Sequence, residues 1–288
     1  MKGKSKLRWT LCFFLGIFII PWCCLNTGQA YDVDKTGAIQ IGDAFGVVHG
    51  AGTPQSEVQF MVHQGIQITR NDFTWTGVER EAGNYSFIYY DWFVHNLSLA
   101  GIDILAVLDY GNEFLFGDDF KVYISPIQIP AWLEFVNRTV TRYQNYVYCW
   151  EIWNEPQLDC FWMGTDQEYF TLLETTAELI YDINNSLKIS TPGISGHDPE
   201  YFESMINAIG ETDFNRLFDV MSFHPYSGST NDVIEEKCRQ VHAVADAHGF
   251  TGELWVSEVG YDTTTAWRYQ AEQLVKTYAQ TLSKWVSL

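Results

Sequence analysis

The chain has 288 residues, 47% of them hydrophobic and 16% aromatic, enough for one large domain with a full core or for two small ones. Its 36 Asp and Glu outweigh 17 Lys and Arg, giving a net charge of −19. That balance excludes nucleic acid as a natural partner, since binding it rests on cationic contacts to phosphate, and it disfavours anionic membranes and polyanionic glycans.

The chain opens on Lys2, Lys4, Lys6 and Arg8, runs through apolar Thr10 to Ile20, and reaches small residues at Gly28-Gln29-Ala30. This order predicts a secretory leader over residues 1–30 and an extracellular protein. Without that segment the chain carries 13 basic against 36 acidic residues, a net charge of −23. Trp9 to Leu25 is nearly long enough to remain in a membrane as an anchor. Pro21 and the cleavage-like site favour removal, so membrane association is expected only if the leader is uncut. Residues 31–288 read as one domain.

From there short apolar runs alternate with longer amphipathic ones, the βαβ signature of a parallel sheet. The predicted strands are Phe45–Val48, Ile66–Arg70, Ile102–Leu108, Val147–Trp153, Lys188–Thr191, Val220–Phe223 and Leu254–Ser257. Helical spacing joins Trp132, Phe135, Val136, Thr139, Val140 and Tyr143, with Pro126 and Pro130 in the loop before them. A second helix face carries Tyr201, Phe202, Met205, Ile206 and Ile209, and a third Ile234, Cys238, Val241 and Ala245. A last helix is predicted from Thr265 to Trp285. No eighth strand follows it, so the pattern predicts an α/β chain of seven βα units, a (β/α)8 TIM-type barrel truncated before strand eight. Both edges of that gap are expected to be unpaired.

Three cysteines lie beyond the leader, Cys149, Cys160 and Cys238, an odd number with no framework spacing. Cys149 sits in an apolar strand and reads as a buried thiol, a Cys149–Cys160 bridge being the alternative. The seven His are scattered, without metal-ligand spacing, and no cofactor is expected. Sequons at Asn84, Asn96, Asn137 and Asn184 are acceptors for glycans where they are exposed.

Two of the strands end in a glutamate. Trp150-Glu151-Ile152-Trp153-Asn154-Glu155-Pro156 is one, and Leu254-Trp255-Val256-Ser257-Glu258-Val259-Gly260 the other. Glycoside hydrolysis needs two carboxyl groups across one sugar bond, and a parallel barrel delivers them from the C-terminal ends of different strands. Asn154-Glu155-Pro156 resembles the acid/base motif of clan A glycoside hydrolases, and Trp150-Glu151-Ile152-Trp153 before it is most similar to the family 39 branch. The resemblance runs from Ala44 to the C-terminus and includes Phe45-Gly46-Val47-Val48-His49, Ile66-Gln67-Ile68-Thr69-Arg70 and Ser222-Phe223-His224-Pro225-Tyr226.

The resemblance implies a retaining mechanism, with Glu155 as general acid/base and Glu258 as nucleophile. It places Arg70 and Tyr226 as donors to Glu258, Asn154 on the sugar 2-hydroxyl, and His224 beside the acid/base. Glu155 must be protonated at working pH to serve the leaving oxygen, whereas Glu258 must be ionised. His49, Asp109 and Tyr110 end strands one and three, within reach of glycone hydroxyls. Trp75, Phe114, Phe116, Trp162 and Tyr261 fall in strand-to-helix loops, where a barrel binds substrate, and are read as platform or packing residues, with Trp75 and Trp162 taken as substrate-binding. Glu151 is expected to point into the barrel below the site, as a structural group. The expected function is a secreted retaining glycoside hydrolase acting on a poly- or oligosaccharide. The alternatives are a transglycosylase of the same fold and a non-catalytic carbohydrate-binding relic barrel.

Overall fold

The computed structural model describes residues 18–21, 45–48, 55–117, 122–226, 232–260 and 267–283. In chain order the elements are β1 (Phe18–Pro21), β2 (Phe45–Val48), α1 (Gln55–His63), β3 (Ile68–Thr74), α2 (Trp75–Val78), β4 (Glu79–Glu81), β5 (Asn84–Tyr85), α3 (Ile88–Ala100) and β6 (Asp103–Asp109). They continue with α4 (Glu113–Phe116), α5 (Ile129–Tyr143), β7 (Cys149–Ile152), α6 (Asp166–Ile183), β8 (Lys188–Ser190), β9 (Ile194–Ser195), α7 (Pro199–Ile209) and α8 (Glu211–Leu217). The last four are β10 (Val220–His224), α9 (Asp232–Ala247), β11 (Glu253–Val256) and α10 (Trp267–Ser283).

All seven predicted strands form, and they lie side by side in one curled sheet in the order β2-β3-β6-β7-β8-β10-β11, parallel throughout. This is an incomplete (β/α)8 barrel. Among the described residues β11 pairs only with β10, so the sheet ends there as expected. The other edge departs from the expectation. It is covered by β1, antiparallel to β2, with Phe18 opposite Val48 and Pro21 opposite Phe45. Pro21 has no N–H to offer a ladder, which restricts it to an edge strand such as this one. Residues 18–21 fall within the expected leader, whose remaining residues lie outside those described.

The helices form where the spacing predicts. On α5 the buried side chains are Trp132, Phe135, Val136, Thr139, Val140 and Tyr143, with a proline in its first turn. Helix α6 starts on a capping box in which Thr165 and Glu168 satisfy each other's backbone N–H. Helix α3 stops at Gly101, whose φ of 68° suits a residue without Cβ.

The two faces of the sheet differ in chemistry. Ile104, Ala106 and Leu108 of β6 point outward into the apolar layer under the helices, together with Phe73, Trp150 and Ile152. The inward positions begin at the bottom with an apolar plug of Ile68, Leu105, Cys149, Val220 and Trp255. Above the plug come Arg70, Glu151, Ser222, His224 and Ser257, all buried. Polar groups cannot be placed there without partners, and the partners they find make the site. Cys149 is a buried thiol and Cys160 is exposed, with no bridge between them.

Candidate active site

Strand β7 ends in a tight turn held by backbone. Trp153 has φ 74° and Glu155 φ 45°, a left-handed region that costs a non-glycine residue about 1–3 kcal/mol. Several contacts over-determine this geometry. The Trp153 N–H donates to the Leu108 carbonyl at 3.0 Å, and its indole N–H donates to the Phe161 carbonyl at 3.0 Å. Asn154 bridges to Gly193, and the Glu155 N–H donates to the Gly193 carbonyl at 3.0 Å. The Trp153 ring is wedged between Tyr110, Trp132 and Trp162. The turn thus delivers Glu155 to the mouth of the barrel with 7% of its surface exposed.

His224 ends β10 and meets Glu155. Its Nδ1 lies 2.8 Å from Glu155 Oε1, and its Nε2 lies 3.1 Å from Ser257 Oγ. Ser257 Oγ in turn touches Ser222 Oγ. The ring has no room to move: a Cβ on Gly193 would sit 2.1 Å from His224 Nε2. Glycine at position 193 is therefore a steric requirement of the histidine.

Glu258 follows β11 and is held by side chains from other strands. Arg70 Nη1 donates to its Oε2 at 3.0 Å, and the Tyr226 hydroxyl donates to its Oε1. Burial opposes ionisation of Glu258, yet the charges of His224 and Arg70 and the two hydrogen bonds hold its carboxyl below the usual range. Arg70 does more than serve Glu258. Its Nη2 donates to Glu151 Oε1 at 2.6 Å and to Asn154 Oδ1 at 2.8 Å, and its Nε donates to Glu151 Oε2 at 3.2 Å. Glu151 also accepts the Gly193 N–H at 3.0 Å. Glu151 therefore points inward and anchors Arg70, as the alternation of β7 predicts.

Six of the predicted residues are joined in this way: Arg70, Asn154, Glu155, His224, Tyr226 and Glu258. The charges of both Glu258 and Glu155 act on the Tyr226 phenol, which burial already pushes well above its ordinary range. Tyr110 lies at the edge of the group. It packs edge-on against Trp153, and the Asn154 side chain reaches its hydroxyl. Asp109 is fully buried at the head of β6. His49 and Tyr261 lie outside the described residues.

Trp75 and Trp162 correct the sequence reading. Trp75 is wholly buried, donates its indole N–H to Glu79 at 2.7 Å and packs on Trp132 and Phe135. Trp162 is buried against Trp153, Tyr169 and Tyr123, with its N–H on the Thr165 carbonyl at 3.1 Å. Both rings have their polar edge satisfied and their faces covered, so neither offers a face to a sugar. Phe114 and Phe116 are exposed on α4. Sequence reasoning missed Gly193, Ser257 and Asp72. Asp72 was detectable by alternation, since it lies two residues beyond Arg70 on the same face of β3.

Comparison with known proteins bears on the family and the fold. The family model described as glycosyl hydrolases family 39 matches residues 66–249. A β-xylosidase of Geobacillus stearothermophilus is 26% identical over 160 residues, which are 50% of this chain and 31% of that enzyme. A β-xylosidase of Caldicellulosiruptor saccharolyticus is 40% identical over 63 residues, 20% of this chain and 13% of that one. The chain thus spans about a third of the Geobacillus enzyme and less of the other. Among solved structures, a family 39 glycoside hydrolase from the gut symbiont Bacteroides cellulosilyticus superposes with a TM-score of 0.69 at 21% identity, over 82% of this chain and 53% of that one. With the matched model covering well over half of its residues, this chain belongs to glycosyl hydrolases family 39.

Proposed function

We propose that the chain is a retaining glycoside hydrolase that cleaves O-glycosidic bonds of poly- or oligosaccharides, with β-xylosides the first substrates to test. The choice of sugar follows the names of the two β-xylosidase relatives. The observation that carries the reading is the environment of Glu258, a carboxyl group held low, against its burial, by the charges of His224 and Arg70 and the hydrogen bonds from Tyr226 and Arg70 at the mouth of the barrel. An ionised carboxylate is what a nucleophile must be, and Glu155, fixed by His224, is left for proton transfer.

On this reading the reaction runs in two steps. A Glu258 oxygen attacks the anomeric carbon while Glu155 gives its proton to the leaving oxygen. The glycosidic C–O bond breaks and an ester forms between Glu258 and the sugar. Water next attacks the same carbon and yields its proton to Glu155, and the ester breaks to restore the Glu258 carboxylate. Two inversions give net retention. Asn154, its oxygen tied to Arg70, is placed beside Glu155 for the sugar 2-hydroxyl, a contact that strengthens in the transition state.

Glu258→Ala is expected to lower kcat by about 10⁴–10⁶-fold, the scale seen for loss of a nucleophile, with the fold intact. Azide should restore turnover of an activated glycoside and give the glycosyl azide of inverted configuration, because azide enters on the face Glu258 occupied. An inverted azide product from Glu155→Ala instead would reverse the two roles.

A further inference from the structure

One buried cation takes no part in the reaction described above. Lys237 lies on α9 with 9% of its surface exposed, one turn beyond Ile234 and next to Cys238, both of which belong to the apolar core. A lysine is rarely buried to this degree without a carboxylate to answer its charge. Arg70, the other buried cation among the described residues, meets Glu151 and Glu258, and half-buried Lys188 meets Glu253 at 2.7 Å. Lys237 forms no ion pair among the described residues. Its ammonium donates instead to a main-chain carbonyl, that of Tyr226. Burial acts against the charge and lowers the ammonium from its ordinary range.

The carbonyl it holds belongs to the residue that serves Glu258. Strand β10 ends at His224, so at Tyr226 the sheet no longer carries the chain. The Tyr226 N–H turns back onto the His224 carbonyl at 2.7 Å, a three-residue turn. That bond sets the local bend, and the Lys237 bond ties the bend to the helix layer. The phenol oxygen stands at the far end of its side chain, so a small rotation of the turn swings it further than the backbone moves. That oxygen is the donor to Glu258 Oε1. The charged groups acting on Glu258 are His224 on β10 and Arg70 on β3, with Asp72 of β3 opposing, and Glu155 acts on the Tyr226 phenol. Lys237 is not among them, so its charge does not reach Glu258 directly.

We propose that Lys237 is a positioning residue: its ammonium anchors the Tyr226 carbonyl and thereby keeps the Tyr226 hydroxyl on Glu258. This rests on the reading of Glu258 as the nucleophile and extends it to a residue of the helix layer that touches neither glutamate. An apolar side chain at position 237 would avoid the desolvation of a buried charge. What the lysine supplies in its place is the location of one carbonyl.

The test reads the Glu258 carboxyl without a substrate, by carbon NMR of the full chain carrying labelled glutamate carboxyl groups. The signal is assigned by its loss in Glu258→Gln. Tyr226→Phe should raise the titration midpoint of that carboxyl by about one pH unit, the scale of one lost hydrogen bond to a charged group. Lys237→Met, a stem of similar length without a donor, should raise it by about half a pH unit, the bond weakened and not lost. Lys237→Arg keeps a donor and should leave the midpoint in place. The double variant should titrate with Tyr226→Phe alone, since a residue that acts through the phenol has nothing to hold once the hydroxyl is gone. Thermal melts check that each variant is folded, and Lys237→Leu takes the place of Lys237→Met if that variant is not. An unmoved midpoint in Tyr226→Phe or Lys237→Met, equal rises in Lys237→Met and Lys237→Arg, or additive rises in the double variant overturns the proposal. Hydrolysis of 4-nitrophenyl β-D-xyloside, assayed separately, distinguishes the two readings. Turnover by the unsubstituted chain without this titration pattern sinks this inference alone, and the pattern without turnover sinks the glycosidase reading alone.

Discussion

At the head of β7 the backbone fixes Glu155. Two residues in left-handed conformation, a bridge to Gly193 and a tryptophan wedged among three aromatic rings set where the carboxyl goes, and a single histidine touches it. At the head of β11 the side chains of other strands fix Glu258. β11 has a sheet neighbour on one side among the described residues, and the carboxylate is tied by Arg70 from β3 and Tyr226 beyond β10. The contrast matches the two tasks proposed for them. A proton carrier must be in the right place, so its geometry is built in. A nucleophile must remain charged, so donors are brought to it. The two regions should therefore fail differently when damaged.

Arg70→Met is the most damaging test of the Glu258 side. It removes one donor from Glu258, the proposed nucleophile, and leaves Glu151 buried without its cation. Loss of the donor should cost about 10²–10³-fold in kcat, as for other preorganised donors. The orphaned Glu151 should cost about 3–5 kcal/mol of stability. The sign in pH is fixed by Glu258. Its carboxyl is held low partly by Arg70, so the acid limb of the kcat/KM profile should move to higher pH in the variant. Arg70→Lys keeps the charge but not the fork, and should recover the limb better than the rate. An unmoved acid limb in Arg70→Met would break the comparison, because Glu258 would then owe nothing to its donors.

Gly193→Ala tests the Glu155 side, with a smaller expected effect. The added methyl would overlap the His224 ring, so the histidine or the β7 turn must shift. Overpacking of this kind costs about 1–3 kcal/mol, and a displacement of about 1 Å in a catalytic group can cost a hundredfold in rate. The loss should appear in kcat for substrates with poor leaving groups and be slight for activated aryl glycosides, which need little protonation. An equal loss on both would mean that the methyl disturbs the nucleophile as well. Rates and melts of the one variant on both substrates decide this.

Much of this was legible beforehand. Apolar runs ending in Glu155 and Glu258 betray strands that carry chemistry, and all seven strands were found because a parallel sheet buries both faces. What was lost had physical reasons. The second predicted strand, Ile66–Arg70, stopped at Arg70 because Asn71 and Asp72 resemble turn residues. The strand continues to Thr74, since the upper interior of a barrel accepts polar side chains that a sheet buried in apolar layers would reject. The β4–β5 hairpin was missed because it is too short to show a period. Trp75 and Trp162 follow strand ends as expected, but composition cannot say whether such a ring turns outward or inward. Their hydrogen bonds to Glu79 and Thr165 decide that, and they exist only in three dimensions. The contact of His224 with Glu155 joins strands far apart in sequence and carries no local signal.

The smallest predicted effect sharpens the comparison by adding a third carboxyl, one that is neither fixed by backbone nor tied by donors. Asp72 is pushed up to about 6 by burial, with Arg70 opposing and Glu258 and Glu151 adding to the rise. In the unfolded chain an aspartate titrates near 3.9. The native state therefore binds the Asp72 proton more tightly than the unfolded state does. Stability contributed by this group is highest below about pH 4, falls as pH rises toward about 6 and stays reduced above. Glu258 runs the other way: its lowered carboxyl contributes stability above the unfolded value and loses it as pH falls. Asp72→Asn removes the first effect and keeps the second. The variant should match the unsubstituted chain in stability near pH 4 and exceed it at pH 7 by about 1–2 kcal/mol, the two-unit shift reduced for the partial exposure of Asp72. Urea denaturation at both pH values measures the difference. A variant that is less stable at pH 7 would show that the Asp72 charge is needed by Arg70, and the site would then hold its cation with three acids instead of two.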